Sequence, residues 1–323
     1  KFKSNTFVSK LRIIKNEKKN ILQKFFSFIA FFNNVIDEKP RVVVCHGFQS
    51  TILFSICKKI FFFKKIKKLI FISVYHGEYF GNPKVYSFKA KLVNYIYGFF
   101  LKASEEVIAV SNFSKKTLLK RYSLKSKVIL NPIPNKFFYK NNTETKRLNK
   151  KLTLIAVSRF DPIKRTLFLV NIIKILRLKM PNIELKIIGN GYQYKEVSNF
   201  IKRFKLERHV KLIGWKKNTA KYLNKSKYYI SCSLIENLSP SLIEAMSENC
   251  IPIVNKVGGN PEVISNNING YIFKMNNLKN TSSIIYKILK RKKINSNNIR
   301  KSINDKFSPK KFNNELGNFL NSL

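Results

Sequence analysis

Acidic side chains are scarce in this sequence, which has 17 Asp and Glu residues against 63 Lys and Arg residues in a chain of 323. The formal net charge of +46 favours polyanionic partners: nucleic acid, an anionic membrane surface or phosphorylated substrates. Part of the lysine content fits a compositional bias, because Lys, Asn, Ile and Phe are all abundant. Such a bias does not account for the shortage of acids, so the charge still limits the class of partner.

Residues that chelate metals or form disulfides are also few. The three aspartates, Asp37, Asp161 and Asp305, are isolated, so no Asp-x-Asp pair is present. The four cysteines have no Cys-x-x-Cys spacing and lie in apolar surroundings, which favours buried thiols in a reducing compartment over a disulfide or zinc framework. These cysteines are Cys45, Cys57, Cys232 and Cys250.

No uninterrupted apolar run approaches the 18 or so residues of a membrane-spanning helix. The two best stretches, residues 21–36 and 52–63, carry Lys24, Lys58 and Lys59. The sequence therefore predicts a chain that does not span a membrane.

The apolar content of 44% and the aromatic content of 13% are sufficient for packed cores, and the length suits two domains. Short apolar runs alternate with helical segments along most of the chain, which predicts parallel sheets covered by helices. A polar stretch over residues 135–151 predicts a linker. We therefore expect a first domain over residues 1–138, a second over 151–305, and a C-terminal helix over 306–323 that packs back toward the first domain.

The most informative stretch is residues 228–259, which has the pattern strand, loop, helix, strand, loop. Ser239 followed by Pro240 is typical of a helix start, and Asn249 of its end. Glu236 falls in the loop and Glu244 in the first turns of the helix. In an open α/β sheet, ligands lie beyond the carboxyl ends of the strands and against helix N-termini. The two carboxylates can serve a ligand there, or they can merely favour the positive end of the helix.

These letters resemble a known signature. The pattern Glu-x7-Glu, then Ala-Met, Ile-Pro-Ile-Val and Val-Gly-Gly-Asn-Pro-Glu is similar to that of the retaining GT-B glycosyltransferases of the "group 1" family, glycosyltransferase family 4. The resemblance is strong over residues 152–273 and weaker over 41–134. It implies a GT-B fold, in which two Rossmann-like α/β domains with parallel sheets face each other across a cleft.

The resemblance also implies roles for individual residues in binding and transfer. Arg159 and Lys164 match a Ser-Arg-x4-Lys element that holds the donor diphosphate, with Arg165 where the family often has Gly. Glu244 is assigned to the ribose hydroxyls, Glu236 to the donor sugar, and His76 reaches that sugar from the first domain. The expected catalytic residues are thus His76, Glu236, Arg159 and Lys164. The expected donor-binding residues are Arg159, Lys164, Gly191, Gly214, Glu236, Asn237, Leu238, Ser239 and Glu244.

Each of these features has a plainer interpretation taken alone. An Arg–Lys pair is unremarkable among 63 cations, and Gly189-Asn190-Gly191 is also an ordinary tight turn. Trp215 can be a core or interface aromatic instead of a neighbour of the nucleobase. A histidine that ends a strand, as His46 and His76 do, can simply cap a turn.

From the resemblance we expect transfer of a hexose or N-acetylhexosamine from a nucleotide diphosphate sugar, with UDP favoured. The acceptor would be a saccharide or a lipid-linked saccharide, and the transferred sugar would retain its anomeric configuration. The reaction would belong to cell-surface polysaccharide or lipopolysaccharide biosynthesis. No cofactor or metal is expected, since the fixed cations would stabilise the leaving diphosphate. The alternatives are another GT-B activity, such as a sugar-nucleotide epimerase or a phosphorolytic enzyme, and a basic nucleic-acid-binding protein.

Two further expectations concern the first domain. The strand and Gly-rich loop with which the family usually opens are not found before residue 41, so we expect roughly fifty N-terminal residues to be missing. Lysines near residues 58–68, interleaved with Phe61, Phe62 and Phe63, form either a solvated basic face or a surface that docks on anionic lipid. The predicted location is cytoplasmic, with attachment to the cytoplasmic face of the inner membrane as a further option. The lysines of this cluster are Lys58, Lys59, Lys64, Lys65, Lys67 and Lys68.

Overall fold

The computed structural model describes residues 40–61, 70–77, 88–138, 152–291, 294 and 296–323. The chain divides into two compact units. Among the described residues, unit 1 contains 40–61, 70–77, 88–129 and 313–323, and unit 2 contains the others. The sequence predicts helices over residues 1–40, and all of these residues but Pro40 lie outside the described part of the chain.

Unit 1 is a parallel four-stranded sheet with strand order β1-β2-β3-β4. Its core contains Tyr75, Tyr97, Leu101 and Leu118, all fully buried, with the two tyrosine rings stacked at a centroid distance of 5.9 Å. The elements are β1 (Val42–His46), α1 (Gly47–Phe61), β2 (Ile70–Tyr75), α2 (Phe88–Leu101), β3 (Glu106–Ala109), α3 (Asn112–Tyr122) and β4 (Lys127–Val128).

Unit 2 is a parallel six-stranded sheet with strand order β10-β9-β8-β5-β6-β7. β5 and β8 are central and pair directly, Leu154 with Tyr228 and Ile155 with Tyr229. The elements are α4 (Asn135–Phe138), β5 (Thr153–Val157), α5 (Thr166–Leu176), β6 (Glu184–Ile188), α6 (Tyr194–Arg203), β7 (Val210–Gly214), α7 (Ala220–Leu223), β8 (Tyr228–Ser231), α8 (Pro240–Ser247), β9 (Ile251–Asn255), α9 (Asn260–Val263), β10 (Tyr271–Phe273), α10 (Leu278–Lys290) and α11 (Ser296–Phe307). The last helix, α12 (Pro309–Asn321), begins in unit 2, and its residues from 313 onward belong to unit 1.

Local sequence signals account for several helix ends. Ser111 followed by Asn112 is a typical cap pattern in the sequence, and the Ser111 hydroxyl accepts a hydrogen bond from the backbone N–H of Ser114 at 3.0 Å at the start of α3. Asn249 follows α8 in the left-handed conformation, with φ +55°, which Asn tolerates better than most residues. Pro309 opens α12, and the N–H of Lys311 donates to the Ser308 hydroxyl.

Some predicted elements differ from the structure. The predicted linker over residues 135–151 begins with the short helix α4, and residues 139–151 lie outside the described part. The sequence pattern predicts a helix over residues 218–224, where the structure has only α7, four residues long. It also predicts a strand over residues 128–130, where the structure has β4, two residues long and beginning one residue earlier. These short elements lack the length over which hydrophobic periodicity becomes informative.

Three of the four cysteines, Cys45, Cys232 and Cys250, are free and buried, as expected. Within the described ranges, no helix is both long enough and apolar enough to cross a bilayer.

Candidate functional site

The predicted donor-site residues lie in loops at one edge of the unit 2 sheet. The loop after β5 carries Arg159 and Lys164, and the loop after β8 carries Glu236. Because β5 and β8 are adjacent parallel strands, their carboxyl ends meet at the same edge. The topology therefore brings together residues that are more than seventy positions apart in the sequence.

Lys164 and Glu236 form an ion pair, with 2.7 Å between Nζ and Oε1. Both side chains are largely buried, at 19% and 9% exposure. A buried charge is tolerated where an opposite charge compensates it. Each residue therefore fixes the other, and a ligand phosphate that approaches Lys164 meets an ammonium group already held in place.

The Gly-Gly turn after β9 packs against the backbone of Glu236 and holds it in position. The Gly259 N–H donates to the Glu236 carbonyl at 3.0 Å. A Cβ atom on Gly258 would lie 1.4 Å from that same carbonyl oxygen, and Gly258 has φ +53°. Only glycine fits this approach. Sequence reasoning included the Gly-Gly turn in the signature but gave no role to Gly258.

Asp161, which appeared isolated in the sequence, organises the loop after β5. Its Oδ1 accepts from the backbone N–H of Lys164 at 3.0 Å, and its Oδ2 lies 3.3 Å from Nη2 of Arg159. The Arg159 side chain is 77% exposed, so its guanidinium is held at one side and open to solvent at the other. No sequence signal singled out Asp161 for this role.

Arg165 has a backbone conformation that favours glycine, the residue that the resemblance suggests for this position. Its backbone is left-handed, with φ +52°, and it directly precedes α5. Its guanidinium lies over the Phe168 ring, 4.1 Å from the centroid. This cation–π contact offsets part of the strain of a non-glycine residue in that conformation.

The loops after β5, β6 and β7 are joined backbone to backbone. The Phe160 N–H donates to the Asn190 carbonyl at 3.0 Å, and the Gly189 N–H donates to the Gly214 carbonyl at 3.0 Å. A Cβ on Gly191 would lie 2.6 Å from the Phe160 carbonyl oxygen. The Gly189-Asn190-Gly191 turn therefore packs closely against the loop after β5. Trp215, which follows Gly214, is 69% exposed and is not a core residue.

Helix α8 begins at this edge without a side-chain cap. Ser239 is the N-cap residue, as predicted, but its hydroxyl lies 3.2 Å from the Ser241 hydroxyl instead of accepting from a helix amide. The first N–H groups of an α-helix have no partner within the helix. Leu238 and Ser239 are buried and Asn237 is half-buried, so this N-terminus sits in the protein surface beside Glu236.

Glu244 lies in the second turn of α8 and is half-buried. Its Oε2 accepts a hydrogen bond from the Thr219 hydroxyl at 3.2 Å. Beneath the site, the Tyr229 hydroxyl is 2.9 Å from the Ser241 hydroxyl. Burial, and next the negative charge of Glu236, raise the pKa of Tyr229, so this phenol stays protonated as a fixed hydrogen-bonding group.

Unit 1 brings two histidines together. His46 ends β1, His76 follows β2, and these strands are parallel neighbours. Their rings stack at 5.4 Å between centroids, with His46 Nδ1 3.1 Å from His76 Nε2. Burial lowers the pKa of both residues, and the charge of His46 lowers that of His76 further. The two histidines are 30 positions apart in the sequence, and no local signal predicts that they pair.

The structure thus joins Lys164 to Glu236, places Arg159 with Asp161, and sets Glu244 on the helix that follows Glu236. Gly191 lies in the loop after β6 and Gly214 ends β7, both at the same edge of the sheet. His76 belongs to unit 1. In the described ranges, no three His, Cys, Asp or Glu side chains are grouped as a metal site would require.

Comparison with solved structures identifies the class of fold. HepE of Anabaena in complex with UDP-glucose is similar with a TM-score of 0.74 at 17% identity, covering 92% of this chain and 82% of that one. Similar GT-B glycosyltransferase structures and the two parallel α/β units define the fold as GT-B.

The family model "Glycosyl transferases group 1" matches residues 139–305. The chain belongs to this family.

Two curated relatives illustrate the range of the family. The capsular polysaccharide biosynthesis glycosyltransferase CapH of Staphylococcus aureus is 32% identical over 206 residues, which is 59% of this chain and 54% of CapH. The UDP-Gal:alpha-D-GlcNAc-diphosphoundecaprenol alpha-1,3-galactosyltransferase of Escherichia coli is 22% identical over 304 residues, 90% of this chain and 77% of that enzyme. The chain spans about half the length of the first curated relatives it matches.

Proposed function

We propose that this chain is a retaining glycosyltransferase of family 4. It would transfer a hexose or N-acetylhexosamine from a UDP-linked donor to a saccharide or lipid-linked saccharide during cell-surface polysaccharide or lipopolysaccharide biosynthesis. The observation that carries the proposal is the buried Lys164–Glu236 pair beside Arg159 and the uncapped start of α8, all within the part of the chain that matches the family.

The geometry supports a site for a nucleoside diphosphate. Arg159 and Lys164 supply two fixed cations, and the first-turn amides of α8 favour an anionic group. We assign the donor diphosphate to this set, so that charge developing on it as the sugar's anomeric C–O bond breaks is neutralised by groups already in place. On this account no metal is needed for the leaving group.

The carboxylates account for the neutral parts of the donor. Glu244 can accept hydrogen bonds from two ribose hydroxyls, with Thr219 holding one of its oxygens. Glu236 is assigned to a hydroxyl of the donor sugar, whose hydrogen bond its carboxylate can accept while Oε1 stays paired with Lys164. His76 is proposed to act on the donor sugar, and Gly191 and Gly214 to line the nucleotide.

Features of the relatives support the donor and the setting. The named E. coli relative uses UDP-Gal and a diphosphoundecaprenol acceptor, CapH belongs to capsular polysaccharide biosynthesis, and HepE has been solved with UDP-glucose. The buried free thiols fit a reducing compartment, and we propose a cytoplasmic location.

A thermal-shift panel tests the donor site. UDP, GDP, ADP, CMP and their common sugar conjugates are added to the wild type and to Arg159→Ala and Glu244→Gln. Arg208→Ala and Glu207→Gln are the matched controls, because both residues are exposed and precede β7 at the opposite edge of the sheet. We expect UDP to stabilise the wild type and both controls, and to stabilise the two site variants by much less. Equal stabilisation of all five proteins, or none by any nucleotide, would contradict the proposal.

The stereochemistry needs its own test. The anomeric configuration of the transferred sugar, or of sugar released to water, is followed by proton NMR before mutarotation. The α-configured donor should give an α-product; a β-product would rule out retention.

A further inference from the structure

Helix α2 exposes large apolar side chains along one face. Their positions fall within an arc of about 100° on a helix of 3.6 residues per turn. These residues and their exposed fractions are Phe88 83%, Leu92 46%, Tyr95 76%, Ile96 38% and Phe99 56%. We call this set the α2 stripe.

The opposite face of α2 is already used by the core of unit 1. Tyr97 and Leu101 are fully buried there, Asn94 is 5% exposed, and Gly98 is buried. A helix on the surface of a globular protein normally presents charged or polar residues outward. The α2 stripe is therefore an apolar face beyond the one that folding of unit 1 requires.

Cations border the α2 stripe on one side. Lys91 is exposed on the helix, Lys102 is exposed just after its end, and both fall at the same edge of the stripe by helical angle. Gly98 faces that edge too, and the Tyr122 ring packs so closely on it that an added Cβ would lie 2.3 Å from the ring. This contact places the C-terminal end of α3, which carries the exposed Lys120 and Arg121, next to α2 at Gly98.

Acidic groups contribute little to this part of unit 1. Between residues 88 and 122 the acids are Glu105 and Glu106, and Glu105 is engaged by Lys58 in an ion pair. An apolar, aromatic-rich stripe beside a basic border is the pattern of a helix that lies in the plane of a membrane interface.

We propose that the α2 stripe docks unit 1 on an anionic lipid bilayer. Phe88, Tyr95 and Phe99 enter the boundary between headgroups and acyl chains, while Lys91 and Lys102 lie beside the lipid phosphates. The stripe offers roughly 600 Å² of apolar surface, which is less than the roughly 800 Å² per partner that a stable protein interface buries. Binding to a bilayer does not require a minimum contact area of this kind. The chain's charge of +46 also complements the anionic surface of the bilayer.

This assignment differs from the lysine cluster that the sequence suggested. Lys64, Lys65, Lys67 and Lys68 lie outside the described residues, and Lys58 is paired with Glu105. The inference rests on the exposed apolar face of α2 and the basic residues beside it, and does not depend on the proposed function. If both hold, docking brings the enzyme to the surface where a lipid-linked acceptor is anchored.

Co-sedimentation with vesicles tests the proposal on the full chain. Vesicles of phosphatidylcholine alone are compared with vesicles that also contain phosphatidylglycerol. The test variant is Phe88→Ser with Tyr95→Ser, and its matched control is Leu178→Ser with Ile268→Ser, which removes apolar side chains of similar exposure, 77% and 59%, from unit 2. We expect binding to the anionic vesicles only, weakened about tenfold or more in the test variant and little changed in the control.

A second variant separates charge from apolar insertion. Lys91→Gln with Lys102→Gln should weaken binding to the anionic vesicles and make the remaining binding less sensitive to salt. Equal binding to both vesicle types, or unchanged binding by the Phe88/Tyr95 variant, would overturn the proposal.

Two controls exclude other occupants of the α2 stripe. Light scattering tests whether a second copy of the chain covers the stripe. That occupant would be indicated if the wild type self-associates, the Phe88/Tyr95 variant does not, and the two proteins bind vesicles equally. Melting temperatures test whether another part of this chain covers the stripe. That occupant would be indicated if the Phe88/Tyr95 variant melts far below the Leu178/Ile268 control while its vesicle binding is unchanged. Either result would overturn docking on lipid.

Discussion

The Lys164–Glu236 pair is the contact on which the candidate site depends most. Neither residue is remarkable in the sequence of a chain with 63 cations, and the 72 positions between them hide the contact. The resemblance placed both residues in a donor site but did not show that they touch. Their contact arises because β5 and β8 are neighbours, which is a property of the whole sheet and not of any local pattern.

Removal of one partner should cost more than removal of both. Lys164→Met leaves a buried carboxylate without compensation, and we expect the free energy of unfolding to fall by about 2–4 kcal/mol. Lys164→Met with Glu236→Leu should recover most of this loss, because an apolar pair replaces the ion pair. Urea unfolding measures the free energies of unfolding of the single and the double variant.

The matched control for this cycle is Lys186→Met. Lys186 pairs with Glu184 at 3.2 Å, but both side chains are about 30% exposed, so the loss should stay within about 1 kcal/mol. If Lys164→Met behaves like Lys186→Met, the site pair is not the buried, mutually dependent contact described above.

The histidine pair of unit 1 predicts a dependence of stability on pH. Burial lowers the pKa of His46 and His76 in the folded chain, whereas unfolded histidines titrate near their ordinary value of about 6.5. Below that pH the unfolded state binds more protons than the folded state, so stability is lost as the pH falls. The melting temperature should drop more between about pH 7 and pH 5 in the wild type than in His46→Asn with His76→Asn. Parallel pH profiles would refute this.

At the scale of secondary-structure elements, local chemistry predicted the helix starts and stops that depend on a single residue. Ser111, Pro240 and Asn249 mark the ends of α3 and α8 as expected. The contacts between loops were not predictable, because the residues that flank a glycine in the sequence do not indicate which distant residue it contacts in the fold. The approach of Gly258 to Glu236, across 22 positions, is the clearest case.

Gly258→Ala and Gly214→Ala form a matched pair that isolates this approach. Both glycines have positive φ, +53° and +74°, so alanine strains the backbone at either position by about 1 kcal/mol. Only at Gly258 does the new methyl group meet a backbone carbonyl, whereas the space beside Gly214 is open. We expect Gly258→Ala to lower the free energy of unfolding by at least about 2 kcal/mol more than Gly214→Ala. Equal losses in chemical denaturation would show that the turn does not press on Glu236.

At the scale of the whole molecule, alternation of strands and helices was enough to predict two parallel α/β units. The order of strands was not, because six parallel strands can be arranged in many ways that leave the alternation unchanged. The order β10-β9-β8-β5-β6-β7 decides which loops are neighbours, and thereby builds the candidate site. The charge of +46 pointed to polyanions, and our two proposals give it two distinct uses: cations at the donor site and a basic border beside α2.

Hydrogen–deuterium exchange with and without UDP tests the central claim most directly, because it locates a bound ligand without requiring turnover. The account predicts slower exchange in residues 158–165, in residues 232–239, in the first two turns of α8 and around Gly191 and Gly214, with the rest of unit 2 little changed. Protection confined to other parts of the chain, or no protection at concentrations that saturate known UDP sites, would contradict the assignment of a nucleotide-sugar site to this edge of the sheet.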